Sequence, residues 1–227
     1  MPVTCVFDAY GTLFDVTSAA RQAAEEDGGE RLAGAWPRLA ADWRERQLAY
    51  TWLRSIAGAH ADFWQVTGEA LDWALERHGL ADAGLRDRLM DLYRDLDTYP
   101  EVPDTLGALK DGDHPTGILS NGSPEMLSAA VSSAGIARLL DHVLSVESVG
   151  TYKPAPAVYD MVGRAFGVER GEVLFVSSNG WDAAAARGYG FRSAWVNRAG
   201  LPVDRLPWRP DHVLPDLTGI PELAGGL

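Results

Sequence analysis

Five short runs dense in apolar and β-branched residues recur along this chain: VTCVF at 3–7, TGILS at 116–120, HVLSV at 142–146, EVLFVSS at 172–178 and RSAWVN at 192–197. Stretches of helical period lie between most of them, at 124–134 after NGSP and at 155–166 after KPAP. Strands that alternate with helices predict an α/β fold built on a doubly wound, Rossmann-like parallel sheet. In such a sheet the chemistry gathers at the carboxyl ends of the strands.

The first interval breaks the rhythm. Residues 15–98 carry no strand signal and read as helix throughout, in WPRLAADWRERQLAYTWLRSIAG, ADFWQVTGEALDWALERHG and GLRDRLMDLYRDLDTY. Five of the eight tryptophans fall here (Trp36, Trp43, Trp52, Trp64 and Trp73), enough aromatic bulk for a small core of its own. With 227 residues there is room for one large domain and a modest second unit. The expected organisation is a discontinuous core of residues 1–14 and 98–227, with a helical cap domain, 15–97, inserted after the first strand.

Composition narrows the partners. A net charge of −12 argues against nucleic acid and anionic membrane, so an anionic ligand would need a local positive site. Cys5 is the single cysteine and lies inside the first strand, which leaves a packed thiol and no intrachain disulfide. The sequence runs straight into that strand without the basic and long apolar segments of a signal peptide. Nor does any stretch approach the roughly 20 apolar residues of a membrane span. A cytoplasmic protein is expected. The five histidines (His60, His78, His114, His142, His212) are scattered without metal-ligand spacing and are expected to be surface or interface residues, not ligands; no cofactor is expected.

Four stretches place chemistry at the strand ends: VFDAYGTLFD at 6–15, ILSNGSP at 118–124, YKPAPAVY at 152–159 and FVSSNGWD at 175–182. The first delivers Asp8 to a strand tip and follows it with Gly11 and Thr12, whose backbone can receive an anion. In this order, and with WRERQLAYTWLRS between the first two, the stretches resemble the haloacid dehalogenase superfamily and, within it, the type II L-2-haloacid dehalogenases. The resemblance covers nearly the whole chain. Phosphatases of that superfamily carry a second aspartate where this chain has Tyr10, and a G-D-x-x-x-D late motif where it has Ser177-Ser178-Asn179 and only Asp182. The second aspartate protonates a leaving alkoxide. A halide, the conjugate base of a strong acid, leaves without a proton. With one acidic ligand gone, a Mg²⁺ site also loses much of its oxygen cage.

The resemblance implies hydrolytic dehalogenation of short L-2-haloalkanoic acids to D-2-hydroxy acids through a covalent Asp8 ester, without metal. It implies a role for each site residue. Thr12 orients Asp8. Ser120 and the backbone N–H groups of Ala9 and Tyr10 bind the substrate carboxylate. Asn121, Arg44 and the ring edge of Trp181 cradle the departing halide, while Leu48, Phe63 and Tyr10 form an apolar wall. Lys153, Asp182, Asn179 and Ser177 place and activate water. Tyr159 either binds Asp8 or a neighbouring charge, or packs in the core. Glu45, beside Arg44, competes for that guanidinium. The expected partners are a 2-haloacid, its halide and a second copy of the chain. Two rival readings are a Mg²⁺-dependent small-molecule phosphatase and a non-catalytic binder of small carboxylates.

Overall fold

A computed structural model describes residues 2–26 and 30–227. Six strands form one parallel sheet in the order β3-β2-β1-β4-β5-β6. They are β1 (Thr4–Phe7), β2 (Thr116–Ser120), β3 (His142–Ser145), β4 (Val173–Ser177), β5 (Arg192–Val196) and β6 (His212–Leu214). Five answer the five runs of the sequence, trimmed by a residue or so at their ends. The sixth was not anticipated: three residues behind an Arg-Pro-Asp turn are too short to stand out. They pair only because β5 offers them an edge, in the register Ala194 to His212 through Val196 to Leu214.

β1 sits between β2 and β4 in mid-sheet, where the chain order reverses, and is wholly buried. That is why its sequence is an unbroken apolar run rather than an alternating one. Cys5 is packed inside it, and burial pushes its thiol up to about 12. The strands point the carboxyl ends of β1, β2 and β4 at one edge of the sheet, which puts Asp8, Ser120 and Ser177 side by side.

Between β1 and β2 the chain runs through α1 (Ser18–Glu25), α2 (Glu30–Ala33), α3 (Trp36–Ala57), α4 (Phe63–Arg77), α5 (Ala83–Arg94) and α6 (Val102–Asp111). Asp62 and Asp82 cap α4 and α5 by accepting from the N–H groups of Gln65 and Leu85, and α3 stops at Gly58 in the left-handed conformation. Trp43 on α3 donates its indole N–H to the Thr67 carbonyl on α4 at 2.9 Å, so a cap tryptophan holds two cap helices together. The chain leaves and re-enters the core side by side. Phe14 forms an antiparallel bridge with Thr98, and Tyr99 N–H donates to the Leu13 carbonyl at 3.1 Å. The remaining helices are α7 (Pro124–Ser133), α8 (Pro156–Phe166), α9 (Gly180–Tyr189) and α10 (Ile220–Gly225). Among the described residues no helix is long and apolar enough to cross a membrane.

Candidate active site

Asp8 follows the last residue of β1, with its N–H donated to the Val176 carbonyl of β4. The next residues turn sharply: the N–H groups of Thr12, Leu13 and Phe14 all converge on the Ala9 carbonyl. Gly11 sits at φ 89° in this turn, and a β-carbon there would come within 3.1 Å of Ser178 Oγ. The positive φ calls for glycine, and a β-carbon would also press on the Ser178 hydroxyl. The turn brings Thr12 back over Asp8, where its hydroxyl lies 3.1 Å from Asp8 Oδ2 and accepts the Ser178 N–H at 2.8 Å.

Asp8, Lys153 and Asp182 form one buried charge network, with exposures of 6%, 1% and 0%. The Lys153 ammonium donates to Asp8 Oδ1 at 2.9 Å and to Asp182 Oδ2 at 2.8 Å, and lies 5.0 Å from the centre of the Phe175 ring. Burial by itself would lower the lysine pKa. The charges of Asp182 and Asp8 outweigh it and hold the ammonium above the ordinary lysine value. Burial pushes Asp182 upward, against the opposing pull of Lys153 and of Tyr159, which donates to Asp182 Oδ1 at 2.7 Å. Tyr159 thus does both things the sequence left open. Its hydroxyl serves a charge, and its ring packs among Phe175, Tyr189 and Phe191. Burial, then Asp182, keep its phenol protonated well above the usual range.

The other oxygen of Asp8 faces the late loop. Asn179 donates its side-chain amide to Asp8 Oδ2 at 3.0 Å. Ser177 and Ser120 turn back onto their own strand ends, accepting the N–H groups of Asn179 (3.1 Å) and Gly122 (3.0 Å). Asn121 accepts the Lys153 backbone N–H at 3.0 Å, which ties the loops after β2 and β3 together and leaves its amide N–H groups to donate elsewhere.

From the cap, α3 carries Arg44 across the cleft. Its guanidinium donates to the Tyr10 carbonyl at 3.0 Å and approaches Asn179 Oδ1 at 3.5 Å. The competition from Glu45 does not occur. Glu45 turns instead toward Arg46, 3.8 Å away, while Arg44 points across the cleft to the Tyr10 carbonyl. Arg44 is held instead by Gln47, which accepts from it at 2.7 Å and donates to Thr67 Oγ1 and the Tyr93 hydroxyl. Gln47 and Tyr93 are buried positioning groups that the sequence reading missed. The available signal was Gln47 standing three residues after Arg44 on the same face. Tyr10 stacks on Tyr93 and touches Phe63, so an aromatic wall does form. Leu48, half-buried, follows Arg44 by one turn. Trp181 meets Trp52 of the cap edge to face at 5.3 Å. Ser178, also missed, anchors Thr12.

The donor set does not suit a divalent cation. Between the two strand-end carboxylates stands an ammonium, and among the described residues no three His, Cys, Asp or Glu side chains cluster as ligands.

A family profile described as haloacid dehalogenase-like hydrolase matches residues 3–190. The chain belongs to that family. Within the haloacid dehalogenase-like hydrolases it is 43% identical over 220 residues to (S)-2-haloacid dehalogenase 1 of Pseudomonas sp. strain CBS-3, covering 96% of this chain and 95% of the relative. It is 46% identical over 199 residues to (S)-2-haloacid dehalogenase 4A of Burkholderia cepacia, covering 87% and 84%. Among solved structures, the L-2-haloacid dehalogenase of Xanthobacter autotrophicus with chloropropionic acid covalently bound superposes with a TM-score of 0.87 at 36% identity, covering all of both chains. The helical insert between β1 and β2 is therefore the cap of a haloacid dehalogenase-like hydrolase.

Proposed function

We infer that the chain is an (S)-2-haloacid dehalogenase, a hydrolase of carbon–halide bonds. The observation that carries this reading is Asp8 at the tip of β1, ionically held by Lys153, facing Tyr10 where an alkoxide-protonating acid would stand. Asp8 attacks C2 of a short L-2-haloalkanoate from the face opposite the halogen. The carbon–halogen bond breaks, its electron pair leaves with the halide, and an Asp8 ester forms. Water then adds to the carboxyl carbon of Asp8. The bond between that carbon and the ester oxygen breaks, a water proton passes to the product hydroxyl, and the D-2-hydroxy acid departs. One displacement at C2 inverts it.

Each residue has a place in this scheme. Thr12, Asn179 and Lys153 aim Asp8. Ser120 and the N–H groups of Ala9 and Tyr10 take the substrate carboxylate. Arg44, the Asn121 amide and the Trp181 ring edge receive the halide. Asp182, steadied by Tyr159 and Lys153, draws the proton from water placed with Ser177 and Asn179. Tyr10, Phe63 and Leu48 exclude water from the attacked carbon, which strengthens the electrostatics of the displacement. The Arg44 guanidinium supplies the local positive charge that the −12 net charge left open, and the Lys153 ammonium between Asp8 and Asp182 supports a reaction without metal. The division into a core of 1–14 and 98–227 and a cap of 15–97 belongs to the same proposal, supported by the Phe14–Thr98 bridge at the crossing. So do a cytoplasmic setting and a homodimer.

The test is halide release from L- and D-2-chloropropionate with and without EDTA, beside phosphate release with Mg²⁺. L-specific, EDTA-resistant dehalogenation is expected. A single turnover in H₂¹⁸O should label the Asp8 peptide and not the product; label in the product means water attacks C2 directly.

A further inference from the structure

Beside the catalytic network, between cap and core, lies a cavity of about 620 Å³ with an almost wholly apolar lining. Trp52 and Ile56 of α3 form one side, Trp181 of α9 another, and Leu206 and Trp208 of the β5–β6 connection a third. Its volume is in the range of sites that enclose small organic ligands. Three of these residues are exposed large hydrophobics: Ile56 at 85%, Trp208 at 51% and Leu206 at 43%. Apolar side chains gathered around a concavity at this exposure mark a binding surface.

The wall is built, not incidental. The Trp208 indole lies against Gly188 of α9, where any side chain would run into the ring. The cavity is also continuous with the site. Lys153 lines it while its ammonium holds Asp8, and Trp181 lines it while the next residue, Asp182, holds that ammonium. The edge-to-face pair of Trp52 and Trp181 forms part of this lining. Both indole N–H groups are buried without a hydrogen-bond partner, so packing alone holds the rings in place.

We propose that this cavity is a subsite for the unbranched alkyl tail of medium-chain L-2-haloacids, with the Trp52 ring, packed edge to face on Trp181, as the partition that a tail displaces. The proposal rests on the dehalogenase reading above and extends its substrates beyond the short acids. A carboxylate, a halogen and C2 occupy the polar side, and the remainder of the chain runs into the apolar one. Each methylene so buried should raise kcat/KM by up to about fourfold, the effect of roughly 0.8 kcal/mol, until the cavity is filled.

The experiment compares L-2-chloropropionate and a series of one halogen, L-2-bromopropionate, L-2-bromohexanoate and L-2-bromooctanoate, in the wild type, Leu206→Asp and Trp208→Asp. Two controls accompany it: octanoate binding followed by tryptophan fluorescence, and light scattering for oligomeric state. Expected is a wild-type kcat/KM that climbs with tail length, and variants that keep the chloropropionate rate but lose the climb. Trp52→Ala should raise the ratio of bromooctanoate to chloropropionate kcat/KM; an unchanged ratio removes the partition. A wild-type series that falls with length, or variants indistinguishable from wild type along it, overturns the subsite. So do variants that lose all substrates equally or change oligomeric state, since the face then serves the fold or a second copy. If the wild type dehalogenates nothing yet binds octanoate, and the variants do not, the subsite stands and the dehalogenase reading fails. Absence of both sinks the two together.

Discussion

On the core side of the cleft, Asp8, Lys153, Asp182 and Tyr159 are buried and bonded to one another: Asp8 just past β1, Lys153 in the loop before α8, Tyr159 on α8 and Asp182 in the first turn of α9. On the cap side, Arg44 reaches across from the middle of a 22-residue helix and is held by Gln47, itself held by Thr67 and Tyr93. The core wall is thus a closed network of charge, whereas the cap wall is one cation on a scaffold of neutral hydrogen bonds and aromatic rings. Single hydrogen bonds join them across the cleft. They include Arg44 to the Tyr10 carbonyl, the His60–Glu147 pair at 2.9 Å, and the Tyr152 hydroxyl donated to the Ala61 carbonyl. A buried ion network tolerates little change, because breaking it strands a charge away from water. Single hydrogen bonds to neutral or partly exposed groups cost less to break, so the cap wall can adjust to substrate.

That contrast is broken most directly at Lys153. Lys153→Arg should remain folded by circular dichroism yet lose at least about 100-fold in kcat, roughly 2.7 kcal/mol of barrier. A compact ammonium fits between Asp8 and Asp182, and a planar fork does not. Near-wild-type halide release from this variant would mean the core wall is as adjustable as the cap.

The charge of the same lysine sets the alkaline limit. Its folded pKa lies above the ordinary 10.5, so its ammonium, and the stability it supplies, is fully present below 10.5 and is lost as pH rises through the higher folded value. The pH profile of kcat should show no Lys153 break between neutral pH and 10.5, with about a tenfold fall per unit beyond the folded value. An alkaline break below 10.5 that vanishes in Lys153→Arg would contradict the network.

On the cap side smaller losses are expected. Gln47→Ala removes the acceptor that orients Arg44 and should lower kcat/KM about tenfold, the scale of one buried hydrogen bond to a charged group. Steady-state halide release measures it; an effect as large as that of Lys153→Arg would erase the distinction between the walls. His60→Ala cuts a half-buried cap–core tie and should change KM about twofold with kcat intact, as for other partly exposed pairs. A kcat loss above tenfold would make that tie part of the machinery.

Much of the core wall was legible before any coordinates. Asp8, Ser120 and Ser177 lie where apolar runs end, and a parallel sheet collects such ends at one edge whatever the loops do. Lys153 is one of only two lysines against 18 arginines, which sets it apart in the sequence. The cap wall was less legible. Glu45 beside Arg44 suggested a partner by proximity in sequence, yet helix geometry gave the place to Gln47.

The sequence by itself determined the alternation of strands and helices, the long helical insert, and the residue types at the strand ends, because these follow from local period and turn chemistry. Only the tertiary structure decided that Lys153 joins Asp8 to Asp182 across 145 and 29 residues, that Gln47 and Tyr93 steady Arg44, and that Trp208 walls a cavity beside them. Hydrogen bonds and van der Waals contacts act over a few ångströms, so segments distant in sequence interact only once packing has placed them there.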